Sequence, residues 1–140
     1  MHNMKKVLFV CTGNSCRSQM AEGLLRFHGA GEIEVFSAGT SPGVLNPKAI
    51  EVMQELGLDI SHQESESIDK YINRQFDYVI TVCSNVAENC PTYPGETQML
   101  HWNLDDPAET EGDDDEVLKV FRQIRDEIGE KITGFLEMLK

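Results

Sequence analysis

The stretch from Val7 to Ser18, VLFVCTGNSCRS, constrains the fold of this chain more than any other. Its first four residues are apolar and rich in β-branched and aromatic side chains, which is typical of a buried strand in a parallel sheet. A short polar loop follows, and a helical pattern of apolar residues begins at Ser18. A strand, a tight loop and a helix N-terminus in this order direct backbone N–H groups toward an anion. We therefore predict an anion-binding loop over residues 11–18.

The residue types in this loop favour nucleophilic chemistry on a tetrahedral oxyanion. Helix N-termini and nearby cations stabilise thiolates, so we expect Cys11 to be ionised, with a hydrogen bond from Ser18 to its sulfur. Arg17 can bind an oxyanion through two parallel N–H donors. The residues expected to surround the anion are Thr12, Gly13, Asn14, Ser15, Cys16, Arg17 and Ser18. The alternative is an inert, buried Cys11 and an Arg17 in a surface ion pair.

Length and charge limit the class of protein. A chain of 140 residues is expected to form one domain, residues 1–140. Its net charge of −12 argues against nucleic acid or an anionic membrane surface as a partner. The apolar runs are too short to span a membrane. Four cysteines without an export signal indicate the reducing cytoplasm, where thiols are more often catalytic or metal-binding than joined in structural disulfides.

Strand and helix patterns alternate along the chain. We predict strands at about 6–10, 33–37, 78–82 and 99–102. The expected helices cover about 18–28, a segment from an Asn46 cap to Gly57, a short stretch within 61–75, and a C-terminal helix with an apolar stripe from Val117 to Leu139. This order predicts a doubly wound α/β domain in which helices flank a four-stranded parallel sheet. Cys11 would then lie at the carboxyl end of the first strand.

A second pair of thiols follows the third predicted strand. Cys83 ends that strand, on the same rim of the sheet as Cys11, and Cys90 comes seven residues later. In a helix their Cα atoms would be roughly 10 Å apart, whereas a disulfide requires about 4.4–6.8 Å. Joining the two thiols would therefore require the segment to unwind, which indicates a redox switch. The alternatives are two idle thiols, or a zinc site formed by all four cysteines. Cys16 is expected on the far side of the loop, without a required role.

Several of these segments together resemble a known family. Residues Cys11 to Ser18 are similar to the C-x5-R-[ST] loop of the low-molecular-weight protein tyrosine phosphatase superfamily. The segments SAGTSPGVLNPKAIEVM, VCSNVAENCP and HWNLDDP resemble the thioredoxin-coupled arsenate reductases of that superfamily. The similarity extends from Lys5 to the C-terminal helix. It implies the fold of these phosphatases and an enzyme that reduces arsenate in arsenic detoxification.

The resemblance also implies a relay of three thiols. Cys11 would attack the arsenic atom, and Cys83 would attack the Cys11 sulfur and release arsenite. Cys90 would then take over the bond, leaving a Cys83–Cys90 disulfide for reduction by thioredoxin. Glutaredoxin or another thiol remains an alternative reductant. The same loop would also suit a phosphatase that acts through a Cys11 phospho-enzyme, or a sensor that binds oxyanions without turnover.

Two further roles are implied by the resemblance. Asp106, which directly precedes Pro107, would donate a proton to the leaving oxygen, although a carboxylate in a turn explains the same spacing. Phosphatases of this fold usually follow the Asp-Pro pair with aromatic residues, whereas Ala108 and Glu109 follow it here. No tightly bound cofactor is expected. Positions that bind potassium in some of these reductases correspond to Asn14, Glu22, Ser37 and Glu66.

Overall fold

In the computed structural model, the described residues are 4–84 and 97–140. They form four strands and three α-helices, together with two short 3-10 turns at Ile68–Lys70 and Pro107–Glu109. The strands are β1 (Lys5–Cys11), β2 (Ile33–Gly39), β3 (Tyr78–Cys83) and β4 (Gln98–Asn103). The helices are α1 (Arg17–His28), α2 (Pro47–Gln54) and α3 (Asp114–Leu139).

The strands form one parallel sheet in the order β2-β1-β3-β4. The chain passes from β1 to β2 in one direction and from β2 to β3 in the other. The second connection begins with α2 on the same face of the sheet as α1 and then crosses to the other face, where it contributes Tyr71 and Phe76. The strand order reverses between β1 and β3, and in sheets of this kind the crevice at the reversal point is where ligands bind. The predicted four-stranded parallel α/β fold is confirmed.

Both faces of the sheet are covered by apolar side chains. On one face, Val7 and Phe9 pack in a core shared by the three helices, including Phe121 and Ile128 of α3. On the other face, the smaller core contains Leu8, Val10, Ala38, Tyr71, Phe76 and Val79. The alternation along β1 explains the apolar run that begins the sequence motif, because successive side chains of a strand point to opposite faces. The run therefore places Cys11 at the end of a central strand.

Three predicted helices differ in extent from those in the structure. The polar stretch 61–75 contains only the 3-10 turn Ile68–Lys70, because its apolar residues are too few to form a helical stripe. Helix α2 ends at Gln54, and Gly57 follows in a turn with a φ of 78°. Helix α1 begins one residue before Ser18. No helix among residues 4–84 and 97–140 is both long and apolar enough to cross a bilayer.

Candidate active site

The sulfur of Cys11 lies in a hydrogen-bonded pocket at the end of β1. Cys11 is a free thiol whose residue is only 2% exposed. The backbone N–H of Asn14 donates to Sγ at 3.1 Å, and Ser18 Oγ lies 2.9 Å from the same atom. Asn14 Nδ2 donates to Ser18 Oγ at 2.7 Å, which leaves the serine proton available to the sulfur. Two hydrogen-bonding groups thus converge on the sulfur, and one of them is the Ser18–Cys11 contact expected from the sequence.

Asn14 holds the loop in shape through a left-handed backbone, with a φ of 48°. Gln19 Nε2 donates to its carbonyl oxygen at 2.9 Å, and the Ser65 hydroxyl donates to the same oxygen at 2.6 Å. The backbone N–H of Glu66 donates to Asn14 Oδ1 at 2.8 Å. The roles of Gln19 and Ser65 were missed by the sequence analysis. Gln19 is fully buried, although it lies on the polar side of α1 with Glu22 and Arg26, so helical periodicity provided no signal for it.

Gly39, at the end of β2, was also missed. A Cβ atom added there would lie 2.5 Å from the carbonyl oxygen of Thr12 and 2.9 Å from the backbone nitrogen of Asn14. Both atoms belong to the backbone of the loop and cannot move aside without distorting it. The close approach of β2 to the loop therefore requires glycine at this position.

Arg17 connects the loop to the segment after β4. Its side chain is 3% exposed, and Nη1 donates to the carbonyl oxygen of Leu104 at 2.9 Å. Nη2 lies 3.7 Å from Asp106 Oδ2. The guanidinium is thus held by residues 87 and 89 positions further along the chain, and no local sequence pattern indicates these contacts. Arg17 also lines the cleft, where a guanidinium can donate hydrogen bonds to an anion.

Asp106 has two structural roles. Its Oδ1 accepts a hydrogen bond from Ala108 N at 3.0 Å and caps the 3-10 turn Pro107–Glu109, and its Oδ2 faces Arg17. Asp106 is therefore a carboxylate in a turn, and it also lines the cleft. The side chain is partly exposed on the cleft, where a proton donor to a leaving group would lie.

These side chains surround a cleft of about 940 Å³. Its described lining residues are Cys11, Thr12, Gly13, Ser15, Cys16, Arg17, Thr40, Ser84, Asp105, Asp106 and Glu109. The expectation that Cys16 lies on the far side of the loop is wrong. Helix α1 begins at Arg17, so Cys16 is its N-cap and lines the cleft beside Cys11. Burial raises the pKa of Cys16 to about 12, which keeps this thiol protonated at neutral pH.

The second thiol lies at the end of the neighbouring strand. Val10 of β1 is paired with Thr81 of β3, so Cys11 and Cys83 are one and two residues beyond this pair. From strand spacing and rise, their Cα atoms are roughly 6 Å apart. Cys83 is disulfide-bonded in the structure, whereas Cys11 and Cys16 are free. The predicted partner Cys90 lies outside the described residues, and so does the predicted change in the segment between them.

Four side chains suggested for potassium lie near one another. Ser37 Oγ donates to Glu22 Oε1 at 2.5 Å, and Arg26 Nη2 lies 2.7 Å from Glu22 Oε2. Glu66 accepts from Lys70 Nζ at 2.9 Å and from the Tyr71 hydroxyl. Within the described ranges, no three His, Cys, Asp or Glu side chains are grouped so as to hold a metal ion.

The pKa values of the two carboxyl groups in this cluster change in opposite directions. Burial raises the pKa of Glu22, although Ser37 and Arg26 partly offset that effect. Partial burial favours a higher pKa for Glu66, but hydrogen bonds from Tyr71 and Lys70 hold that pKa below its usual value. Both carboxylates thus already have cationic partners from the chain itself. A potassium ion would have to share their oxygens with Arg26 and Lys70.

Comparison with known proteins places this geometry in context. Residues 6–140 match the family described as low molecular weight phosphotyrosine protein phosphatase. The arsenate reductase of Halalkalibacterium halodurans is 47% identical over 96% of this chain and 97% of its own length. The arsenate reductase of Bacillus subtilis is 44% identical over 95% of this chain and 96% of its own.

Solved structures of arsenate reductases and of a phosphatase are also similar to this chain. An arsenate reductase in the oxidized state is 36% identical and superposes with a TM-score of 0.82, covering 98% of this chain and all of the other. A thioredoxin-dependent arsenate reductase from Corynebacterium glutamicum is 32% identical with a TM-score of 0.64, covering 93% of this chain and 62% of the other. A low molecular weight protein tyrosine phosphatase from T. tengcongensis is 26% identical with a TM-score of 0.75, covering 96% and 99%.

Proposed function

This chain belongs to the low molecular weight phosphotyrosine protein phosphatase family, and from that premise we propose that it reduces arsenate to arsenite. The observation that carries the proposal is the pair of cysteines at adjacent strand ends, one of them in an oxyanion loop. Reduction of arsenate needs two electrons, which two thiols supply when they form one disulfide. A phosphatase has no use for the second thiol. The identity of the relatives as arsenate reductases supports the same choice.

The proposed reaction begins with attack of the Cys11 thiolate on arsenic, which expels an oxygen as water after proton transfer from Asp106. Cys83 then attacks the Cys11 sulfur. The electron pair of the S–As bond stays with arsenic, so arsenate becomes arsenite and the two thiols become a Cys11–Cys83 disulfide. Cys90 next attacks Cys83 and frees Cys11 as a thiolate. The electrons balance, because two thiols are oxidised for each arsenate reduced.

The second step requires the end of β3 to move. Cys11 continues the alternation of Val7 and Phe9, whereas Cys83 continues that of Val79 on the opposite face of the sheet. The backbones are close enough for a disulfide, which needs Cα atoms about 4.4–6.8 Å apart, but the side chains start on different faces. We infer that the Cys83 side chain turns toward Cys11 before this disulfide forms.

Thioredoxin is the proposed reductant, and the cytoplasm the proposed location of the reaction. The support is the structural similarity to a thioredoxin-dependent arsenate reductase. The potential of thioredoxin, about −270 mV, suits the reduction of a labile protein disulfide. Glutaredoxin with glutathione is the alternative that a reconstituted assay distinguishes.

A phosphatase is the second candidate function. The specific observation in its favour is that Cys11, Arg17 and Asp106 line one cleft, which is a sufficient set for a phospho-enzyme mechanism. The similarity to a solved protein tyrosine phosphatase of this fold agrees with it. Phosphate and arsenate have the same tetrahedral shape, so weak hydrolysis of phosphoesters is compatible with either function.

We expect a Cys90→Ser variant to stop after one turnover. The pre-reduced variant would form arsenite in an amount equal to the protein and then remain as the Cys11–Cys83 disulfide. The wild type, supplied with thioredoxin, thioredoxin reductase and NADPH, would consume NADPH for as long as arsenate lasts. The measurement is NADPH oxidation alongside the arsenite formed, with mass spectrometry of the trapped disulfide.

A Cys16→Ser variant is the matched control, because it also removes one thiol but should retain multiple turnovers. Wild type that oxidises no NADPH with thioredoxin, yet turns over with glutaredoxin and glutathione, would contradict the choice of reductant. If the wild type reduces no arsenate with either reductant but hydrolyses phosphoesters catalytically, the protein is a phosphatase and the proposed reductase activity is wrong.

For the candidate potassium site, we propose that Arg26 and Lys70 supply the positive charge that the carboxylates require. The unfolding midpoint should then differ between equal concentrations of KCl and NaCl by less than about 1 °C. In Arg26→Gln, Glu22 loses its cation, and potassium should raise the midpoint over sodium by about 2–4 °C. Thermal unfolding followed by circular dichroism measures both. A wild type that K⁺ stabilises as strongly as the variant would show that the ion binds despite Arg26.

A further inference from the structure

The mouth of the cleft carries an unusual balance of charge for a site that takes an anion. Among the described residues that line it, Asp105, Asp106 and Glu109 supply three carboxylates, and Arg17 supplies one guanidinium. None of the described lining residues is aromatic or a large aliphatic. Arg17 is buried and partly neutralised by Asp106. The part of the mouth formed by described residues is therefore acidic and has no apolar surface.

Glu109 is fixed at this mouth by the turn that Asp106 caps. Its backbone N–H donates to the carbonyl oxygen of Asp106 at 3.1 Å, and the buried Pro107 anchors the turn between them. Glu109 is exposed and follows the proposed proton donor by three residues. Glu109 thus lines the cleft as an exposed residue, whereas Cys11 lines it as a buried one.

The direction of nucleophilic attack decides which part of a ligand lies next to Glu109. In an in-line displacement at a tetrahedral centre, the leaving oxygen lies opposite the attacking atom. With Cys11 at the base, the leaving oxygen points outward toward Asp106. Arsenate carries nothing on that oxygen, so it ends inside the cleft. An organic ester carries its whole alcohol group there, next to Glu109.

We propose that Glu109 is a specificity-determining residue that selects bare inorganic oxyanions over oxyanions with an organic substituent, most strongly when the substituent is acidic. This rests on the proposed function and narrows its substrate class. The physical causes are repulsion between like charges and the absence of an aromatic or large aliphatic side chain among the described lining residues that could bind a ring. The selection acts on the substituent, since the charge of the oxyanion itself is common to all these ligands.

The test compares the dissociation constants of three non-reacting anions by calorimetry with the reduced protein. The ligands are inorganic phosphate, phenylphosphonate and 4-carboxyphenylphosphonate. In the wild type, we expect phosphate to bind tightest and the carboxylated ligand weakest. In Glu109→Gln, the ratio of the carboxylated ligand's constant to that of phosphate should fall by about three- to tenfold. Raising the salt concentration should narrow the same ratio in the wild type.

Glu111→Gln is the matched control, because it removes the same charge from an exposed residue two positions away that does not line the cleft. An unchanged ratio in Glu109→Gln, an equal change in Glu111→Gln, or no phosphate binding by the wild type would overturn the proposal. The proposed function is tested separately. If the protein shows the expected ratios of dissociation constants but reduces no arsenate, the selection by Glu109 stands and the proposed reductase activity is wrong.

Discussion

Replacing Cys11 with serine should abolish arsenate reduction, with a loss of kcat/KM of at least about 10³-fold. The structure gives the reason in the position of Sγ, which lines the cleft within hydrogen-bond distance of the Asn14 N–H and the Ser18 hydroxyl. A serine oxygen is not ionised at neutral pH and cannot form the disulfide that carries the electrons. The measurement is the rate of arsenite formation by the pre-reduced variant in a single turnover. This excludes any effect on the later reduction of the disulfide.

Cys16→Ser tests whether the loss belongs to Cys11 or to any thiol of the cleft. Cys16 is buried beside Cys11, but burial raises its pKa to about 12, so it does not supply a thiolate at neutral pH. Its loss should cost less than about tenfold in kcat/KM, because only its side chain changes while the loop backbone remains. Equal losses in the two variants would contradict the assignment of Cys11 as the nucleophile. Folding of each variant is checked by its thermal unfolding midpoint.

The second large effect is expected at Arg17. In Arg17→Lys, the charge remains, but one ammonium group cannot bind the Leu104 carbonyl and an oxyanion together as a guanidinium does. We expect kcat/KM for arsenate to fall by about 10²–10³-fold, the usual cost of removing a donor that stabilises a developing negative charge. The affinity for inorganic phosphate should fall in parallel, since the ground-state anion uses the same donors.

Arg122→Lys is the matched control for Arg17→Lys. Arg122 is an exposed arginine of α3 that pairs with Glu55, away from the cleft. It should leave both phosphate affinity and arsenate reduction within about twofold of the wild type. An Arg17→Lys variant that keeps its phosphate affinity and activity within threefold would show that the guanidinium only joins the two loops. Lower stability with normal binding would lead to the same conclusion.

Local sequence patterns predicted the elements whose causes lie within a few residues. The Asn46 cap was predicted, and its side chain accepts from Lys48 N at 2.8 Å at the start of α2. The stripe of α3 was predicted from its spacing, and Phe121, Ile128 and Ile132 are fully buried. In each case, hydrogen bonds or periodicity along one segment decide the outcome.

The contacts that complete the site join distant segments. Arg17 binds Leu104, and Gln19 and Ser65 bind the carbonyl oxygen of Asn14. Cys16 was expected to face away, but the start of α1 turns it into the cleft. None of these follows from local spacing, because each depends on how the sheet brings the end of one strand beside another.

The sequence by itself determined that a thiol and an arginine lie in one strand–loop–helix unit at a strand end, because that unit is local. The tertiary structure decided the strand order β2-β1-β3-β4, which brings Cys11 and Cys83 to neighbouring strand ends at the point where the order reverses. It also decided that Glu109 lies at the mouth of the same cleft. Strand order and loop contacts result from packing across the whole chain, and that packing is not encoded in any single stretch of residues.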